Sequence, residues 1–225
     1  MILSAHQPAY LPWLGYFDKI IRSDIFVYLD TVQFEKNSFT NRNRVKTPQG
    51  AAWLTVPVKI KGHIGKTLTE IEIDESQDWR KKHLNTIFLN YKKCPKFESC
   101  YESLEKLYHY RYQLLTELCW DQLLFWLKEL GITTQIVRSS ILPVDAKKSD
   151  LILELCRYYN ADHYISGILG RDYLHEDDFA CNGIAVTFQE YQHPVYPQMW
   201  GDFLPYMSIM DFWMNTSEYS LITES

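Results

Sequence analysis

The order of apolar segments predicts an α/β fold with a largely parallel sheet. Residues 2–29 read strand, turn, helix, strand. That is one βαβ unit, which demands parallel strands and a right-handed crossover. After Gly131, short apolar runs alternate with helix-spaced segments again. Between the two stretches lies a helix-period region, 79–131, with no strand pattern in it.

Ile2–Ala5 is a short apolar run closed by His6-Gln7-Pro8. Pro8 keeps Gln7 out of helical backbone, so the chain leaves the strand through a turn. Leu11, Leu14, Phe17, Ile20 and Ile21 recur at helical spacing, with Pro12 tolerated in a first turn. Ile25–Leu29 predicts the second strand, ending at Asp30. Residues 31–50 are polar and predict an irregular loop with a Thr47-Pro48-Gln49-Gly50 turn. Trp53–Ile60 and Thr67–Ile73 predict an antiparallel hairpin joined by 61–66. Trp79–Tyr91 has helical spacing.

Ser99 with Glu102 matches a capping box opening one long helix, whose apolar face runs from Leu104 to Leu130. Gly131 stands where a left-handed C′ residue belongs. Then come a strand at Gln135–Arg138, a helix at Asp150–Tyr159, and strands at His163–Ser166 and Ile184–Glu190. An aromatic, irregular tail follows, with a short helix at Ser208–Met214. The expected architecture is a largely parallel, Rossmann-like sheet with flanking helices, an added β-hairpin and a helical insertion at about 79–131. Ligands on such sheets bind outside the carboxyl ends of the strands, which directs attention to His6-Gln7, Asp30, Arg138 and Gly167.

Composition narrows the function classes. Hydrophobic residues make up 46% and charged residues 23% of 225 residues, ordinary values for a globular chain. A net charge of −5 argues against a general nucleic-acid binder. No run approaches the ~20 apolar residues of a membrane span, and no basic-then-apolar leader opens the chain. Five cysteines without a C-x-x-C pair read as reduced thiols in a cytoplasmic protein. They have no zinc spacing, and no H-E-x-x-H occurs, so no metal ligands are expected. Sixteen Tyr and seven Trp are many, and flat amphipathic rings of that number need a use in core or pocket.

Several constellations carry candidate chemistry. The turn HQPAYLPW sets His6 as a donor or cation for an anion, with Gln7 and Tyr10 beside it; equally, it closes a strand with core aromatics. Asp30 can accept ribose hydroxyls or simply face solvent at a strand end, and the G-x-G-x-x-G of a dinucleotide site is absent. Arg42 and Arg44, with Lys46, concentrate positive charge inside an acidic chain; guanidinium geometry suits phosphate or carboxylate. Gly65-Lys66-Thr67 lacks the first glycine of a P-loop. Gly167 and Gly170, with Arg171 and Tyr173, follow a strand and allow close backbone approach or a tight turn. His193, Tyr196 and Gln198 lie in a proline-fixed aromatic stretch that can wall a pocket or cap a core.

HQPAYLPWLGYFDKI, the NRNRV segment, WLTVPV, WRKKH with Tyr91, YISGILGRDYL, EYQHPVYPQ and FLPYMSIMDF together resemble the WbqC-like family, in the same order and over nearly the whole chain. The resemblance implies a single domain over 1–225. It also implies a place in bacterial surface-polysaccharide or O-antigen (lipopolysaccharide) gene clusters. A transferase moving glycine or another amino or acyl group to a sugar is the implied activity. A second resemblance, of the His-containing turn to HIGH-type nucleotidyltransferases, implies nucleotide use, although HQPAY replaces H-x-G-H and no KMSKS-type loop is present.

Together these readings cast His6 and His193 as catalytic. Gln7, Tyr10, Asp30, Arg42, Arg44, Gly167, Gly170, Arg171, Tyr173, Tyr196 and Gln198 become substrate-binding. A nucleoside triphosphate with Mg²⁺ is the implied cofactor. The implied partners are a sugar or nucleotide-linked precursor and a second copy or partner biosynthetic enzyme. The alternatives are a non-catalytic nucleotide-sugar or acyl-intermediate binding module and a structural interaction protein.

Overall fold

The structure, a computed structural model, describes residues 1–62 and 64–223. His63, inside the expected 61–66 loop, lies outside the described residues. The strands are β1 (Ile2–His6), β2 (Ile25–Tyr28), β3 (Arg42–Thr47), β4 (Gly50–Thr55), β5 (Gln135–Arg138), β6 (His163–Ser166) and β7 (Ala185–Phe188). The helices are α1 (Leu14–Ile21), α2 (Trp79–Tyr91), α3 (Phe97–His109), α4 (Leu115–Leu130), α5 (Lys148–Tyr158), α6 (Glu176–Cys181) and α7 (Ile209–Asn215).

Five strands form an all-parallel sheet in the order β5-β2-β1-β6-β7. Numbered as they enter the sheet, that is 3-2-1-4-5, the start of the Rossmann order. The order of strand addition reverses between β1 and β6, which makes that parallel pair the topological switch point. Apolar residues alternate across the sheet. Leu3, Ala5, Ile25, Val27 and Tyr164 pack under α5 and α6, while Phe26 and Tyr28 pack under α1 and α4. The second core is the larger and takes in α2, α3 and α7. It contains the edge-to-face pair Trp126–Trp213, with centroids 5.1 Å apart and both indoles buried. Much of the aromatic excess is spent here.

The added hairpin exists but lies upstream of its expected position. β3 pairs antiparallel with β4, so the polar 31–50 segment holds a strand, and Trp53–Ile60 pairs with Thr67–Ile73 only at the bridge Val58–Ile73. The reason is the Thr47–Gly50 turn. Gly50 takes φ +103°, closing the hairpin there, and Asn43 and Val45 point inward while Arg42 and Arg44 point out. Thr67 and Glu70 instead make a reciprocal cap on a 3-10 turn at Leu68–Glu70.

The expected single long helix is two. Tyr110 adopts extended backbone, and the 110–114 connection bridges to 71–73 through Ile73 N to Gln113 O and Leu115 N to Ile71 O. Ser99 sits inside α3 and donates to Lys96 O, so it caps nothing. α1 also starts late. Leu11 is left-handed at φ 46°, Pro12 precedes the helix, and Trp13 is its N-cap. Gly131, at φ 68°, ends α4 as its position predicts.

Candidate functional site

At the carboxyl end of the switch point, β1 and β6 stop pairing after Ser4 and Ile165. Extending that register places Gly167 beside His6. Into this gap reaches Lys19 from α1. Its side chain is 2% exposed, and its Nζ donates to Ala5 O at 3.0 Å. A Cβ added to Gly167 would lie 3.9 Å from that Nζ, an ordinary contact, so the Gly167 backbone runs close to an amine that stays buried. Among the described residues Lys19 forms no ion pair with a carboxylate. Burial pulls its amine from 10.5 down to about 7. The hydroxyls of Ser4 and Ser23, 2.6 Å apart, sit against Lys19 O and hold the helix to the strand. No motif announced Lys19; it reads as an ordinary helix lysine until the sheet is assembled.

His6 stands beside it. Its ring packs edge-on against Tyr16 with centroids 4.8 Å apart. Nδ1 is 3.0 Å from Gln7 O, which also accepts from Tyr16 Oη at 3.3 Å. A carbonyl can only accept, so Nδ1 carries the hydrogen and Nε2 keeps its lone pair. Desolvation first, then the charge of Lys19, lowers His6 to about 3. His6 is therefore a neutral acceptor near pH 7. Lys19 is the titratable cation beside this turn.

Beyond β6, the chain winds into a 3-10 turn at Ile168–Asp172 capped by Gly167. Gly170 packs against Ser166: an added Cβ would stand 1.9 Å from Ser166 Oγ and 3.1 Å from its Cβ. Ser166 is 1% exposed, so nothing there can give way cheaply. Gly170→Ala should cost about 1–3 kcal/mol of stability, measurable by urea unfolding. An unchanged midpoint would mean the turn relaxes freely.

The other candidates form separate groups. Asp30, fully buried, accepts from Arg138 Nε, Ser139 Oγ, Ser140 N and Ser140 Oγ at 2.8–2.9 Å. Its acceptor sites are filled by the chain's own donors, tying the ends of β2 and β5. Arg138 continues to Glu117 at 2.6 Å. Tyr10 is inside the core, its hydroxyl bonded to His83 Nδ1 at 2.8 Å and to Tyr108 Oη. Arg171 pairs at the surface with Glu190 and lies over Phe188. Tyr173 is 40% exposed.

Tyr196 and Gln198 belong to a buried knot on α7. Asp211, 0% exposed, accepts from Tyr91 Oη at 2.7 Å, Tyr196 Oη at 2.8 Å and Gln198 Nε2 at 2.7 Å. Lys46 Nζ in turn donates to Gln198 Oε1 at 3.0 Å. Burial raises the Asp211 carboxyl above the usual carboxylate range against the pull of those bonds.

His193 stands among Tyr191, Tyr196, Phe203 and Tyr206 with ring centroids 5.3–6.2 Å away. Nδ1 faces Pro194 O at 3.0 Å, which leaves Nε2 a buried acceptor with no partner. Tyr191 and Tyr206 both pack on Trp13, at 5.3 and 5.7 Å. Trp13 lies flat over Gly15, where an added Cβ would overlap its ring. That explains a glycine inside α1.

A cavity of about 470 Å³ opens on the uncovered side of β6 and β7, lined by Asp18, Arg22, His163, Thr187, Gln189 and Tyr191 among others. His6, Lys19 and Gly167 are not in its lining, whereas residues 188–191, the start of the aromatic stretch expected to wall a pocket, are. Among the described residues no group of three or more His, Cys, Asp or Glu is placed to hold a metal ion. Among them, too, no helix is long and apolar enough to cross a membrane.

The model of a family described as WbqC-like matches residues 7–222. A protein of Mycobacterium tuberculosis described only as uncharacterized is 35% identical over 214 residues, covering 93% of this chain and 91% of its own length. No solved structure matches the chain.

Proposed function

Since the chain belongs to the WbqC-like protein family, we propose that it is a cytoplasmic transferase of bacterial surface-glycan (O-antigen type) biosynthesis, passing glycine or another amino or acyl group to a sugar after nucleotide activation. The observation that carries the reading is a buried lysine amine that has no carboxylate partner among the described residues and stands beside Gly167 at the switch point of a Rossmann-ordered sheet. A charge kept out of water with no counter-ion is costly, and a ligand oxyanion removes that cost.

The residues present fit phosphate. A nucleoside triphosphate would supply the activated phosphate leaving group, and Mg²⁺ would travel on the phosphates, since the crevice offers it no carboxylate cage. Lys19 takes up a proton as the anion arrives and neutralises it. His6, with Nδ1–H committed to Gln7 O, offers Nε2 as a hydrogen-bond acceptor to an attacking amine or hydroxyl. With a value of about 3 the ring binds a proton only weakly, so at neutral pH His6 acts as a neutral hydrogen-bond acceptor that orients this group. Arg171 and Tyr173 border the turn that Gly167 opens.

Thermal midpoints in ATP, CTP, a UDP-sugar and a dTDP-sugar, each with and without Mg²⁺, test the proposal. At 100 times its dissociation constant a ligand adds about 2.7 kcal/mol. One nucleotide should raise the midpoint of the wild type by several degrees and leave Lys19→Met unmoved, with His6→Ala still binding. If none of the panel stabilises the wild type, nucleotide activation is wrong.

A further inference from the structure

On the outer face of the hairpin, Arg44 lies directly across the ladder from Trp53, and Arg42 is one step along the same face. Both guanidiniums lie over the one indole, 4.3 Å and 5.7 Å from its ring centre. Arg22, Arg80, Arg138, Arg157 and Arg171 each pair with a carboxylate. Among the described residues Arg42 and Arg44 have no such partner, in a chain of net charge −5. Each is nevertheless held in place. Arg42 Nη2 donates to Asn37 O, and Arg44 Nη2 donates to Tyr206 O at 3.1 Å. The Nε of each is buried without a partner. Tyr206 accepts this bond from a left-handed backbone, φ 59°. Phe39, Trp53 and Tyr206 remain close to half exposed around the pair.

Two oriented like charges over one ring repel each other, and among the described residues neither forms an ion pair with a carboxylate. An oxyanion bridging the two forks would relieve the repulsion with bidentate bonds. Rings that are half exposed beside it offer a flat apolar surface to stack on. We propose that Arg42, Arg44 and Trp53, with Phe39 and Tyr206 at the margin, form a binding site for a ligand that carries a phosphate or carboxylate on a flat ring. The site is distinct from the crevice at Lys19 and does not depend on that reading.

Its test uses the indole N–H resonance of Trp53 in the ¹⁵N-tryptophan-labelled full chain, assigned by Trp53→Phe. The chain is titrated with phenyl phosphate and benzoate, and with inorganic phosphate and phenol as the separate halves. The Trp53 signal should move saturably with phenyl phosphate or benzoate, and the better of the two identifies the oxyanion. Inorganic phosphate and phenol should each bind at least tenfold more weakly. Arg42→Gln and Arg44→Gln should each weaken binding about tenfold or more, while Lys19→Met leaves it unchanged. The proposal is overturned if no compound moves Trp53 saturably, if the arginine variants respond like wild type, or if Lys19→Met abolishes the shift. Both arginine substitutions are at the surface, and matching thermal midpoints would show that any loss is not unfolding.

Discussion

Lys19→Met should make this protein more stable, by about 2–4 kcal/mol at pH 6, while removing its affinity for anions at the switch point. Burial lowers the lysine from 10.5 to about 7. Every tenfold loss of proton affinity on folding is worth about 1.4 kcal/mol, so the charged amine costs the fold at most about 5 kcal/mol below pH 7. Methionine fills much the same space without the charge. Part of the gain is offset because Ala5 O loses its donor, about 1 kcal/mol.

The pH dependence has a definite sign. Between about 7 and 10.5 the unfolded chain holds the proton on Lys19 and the folded chain does not. Wild-type stability therefore rises with pH across that window, through the linkage between bound protons and folding. The penalty is present in full below pH 7, and above 10.5 both states are neutral. Urea unfolding at pH 6 and pH 9.5 reads this directly. The advantage of the variant should be large at pH 6 and mostly gone at pH 9.5. A variant less stable than wild type at pH 6, or an advantage independent of pH, would show that Lys19 is an ordinary structural lysine. A residue whose removal stabilises the fold and ends binding is the signature of a site kept for function at the expense of stability.

Asp211→Ala should act in the opposite direction, destabilising by about 3–5 kcal/mol. It strips the acceptor from the buried Tyr91 Oη and Tyr196 Oη, and one of two from the half-buried Gln198 Nε2, which keeps Leu204 O. Each stranded donor costs about 1–3 kcal/mol. Gln198 is also a link to Lys46, itself 1% exposed, which keeps a second bond to Asp202 O. The loss should be local first, with cleavage by a dilute protease between 196 and 206 appearing before global unfolding. Tyr91→Phe removes one donor to the carboxylate and the acceptor of the Lys46 N–H, leaves Asp211 bound to two others, and should cost about 1–3 kcal/mol. If Asp211→Ala cost no more than Tyr91→Phe, the aspartate would not be the centre of the knot.

The turn at His6-Gln7 and the glycines at 167 and 170 were legible because they follow short apolar runs, and the carboxyl ends of parallel strands are where such folds bind. Lys19 was not legible. In α1 it sits at a position that, on helix periodicity alone, belongs to no apolar stripe, and only the divergence of β1 from β6 gives it a gap to enter. Asp30 shows the converse. At a strand end it resembles a ribose acceptor, yet Ser139 and Ser140, 109 and 110 residues away in the chain, fill its oxygens. The strand in 42–47 was hidden because Arg42, Arg44 and Lys46 alternate with Asn43 and Val45, a pattern whose polar side dominates composition.

By itself, then, the sequence determined the parallel α/β class, the family, the position of most elements and the end of α4 at Gly131. These rest on local preferences: period of apolar residues, proline and glycine geometry, and length of apolar runs. Tertiary structure alone decided the strand order, the break between α3 and α4, and which polar groups are left without partners. Those depend on contacts between residues far apart in the chain. A buried amine without a carboxylate, or two arginines sharing one indole, comes into being only when separate segments meet.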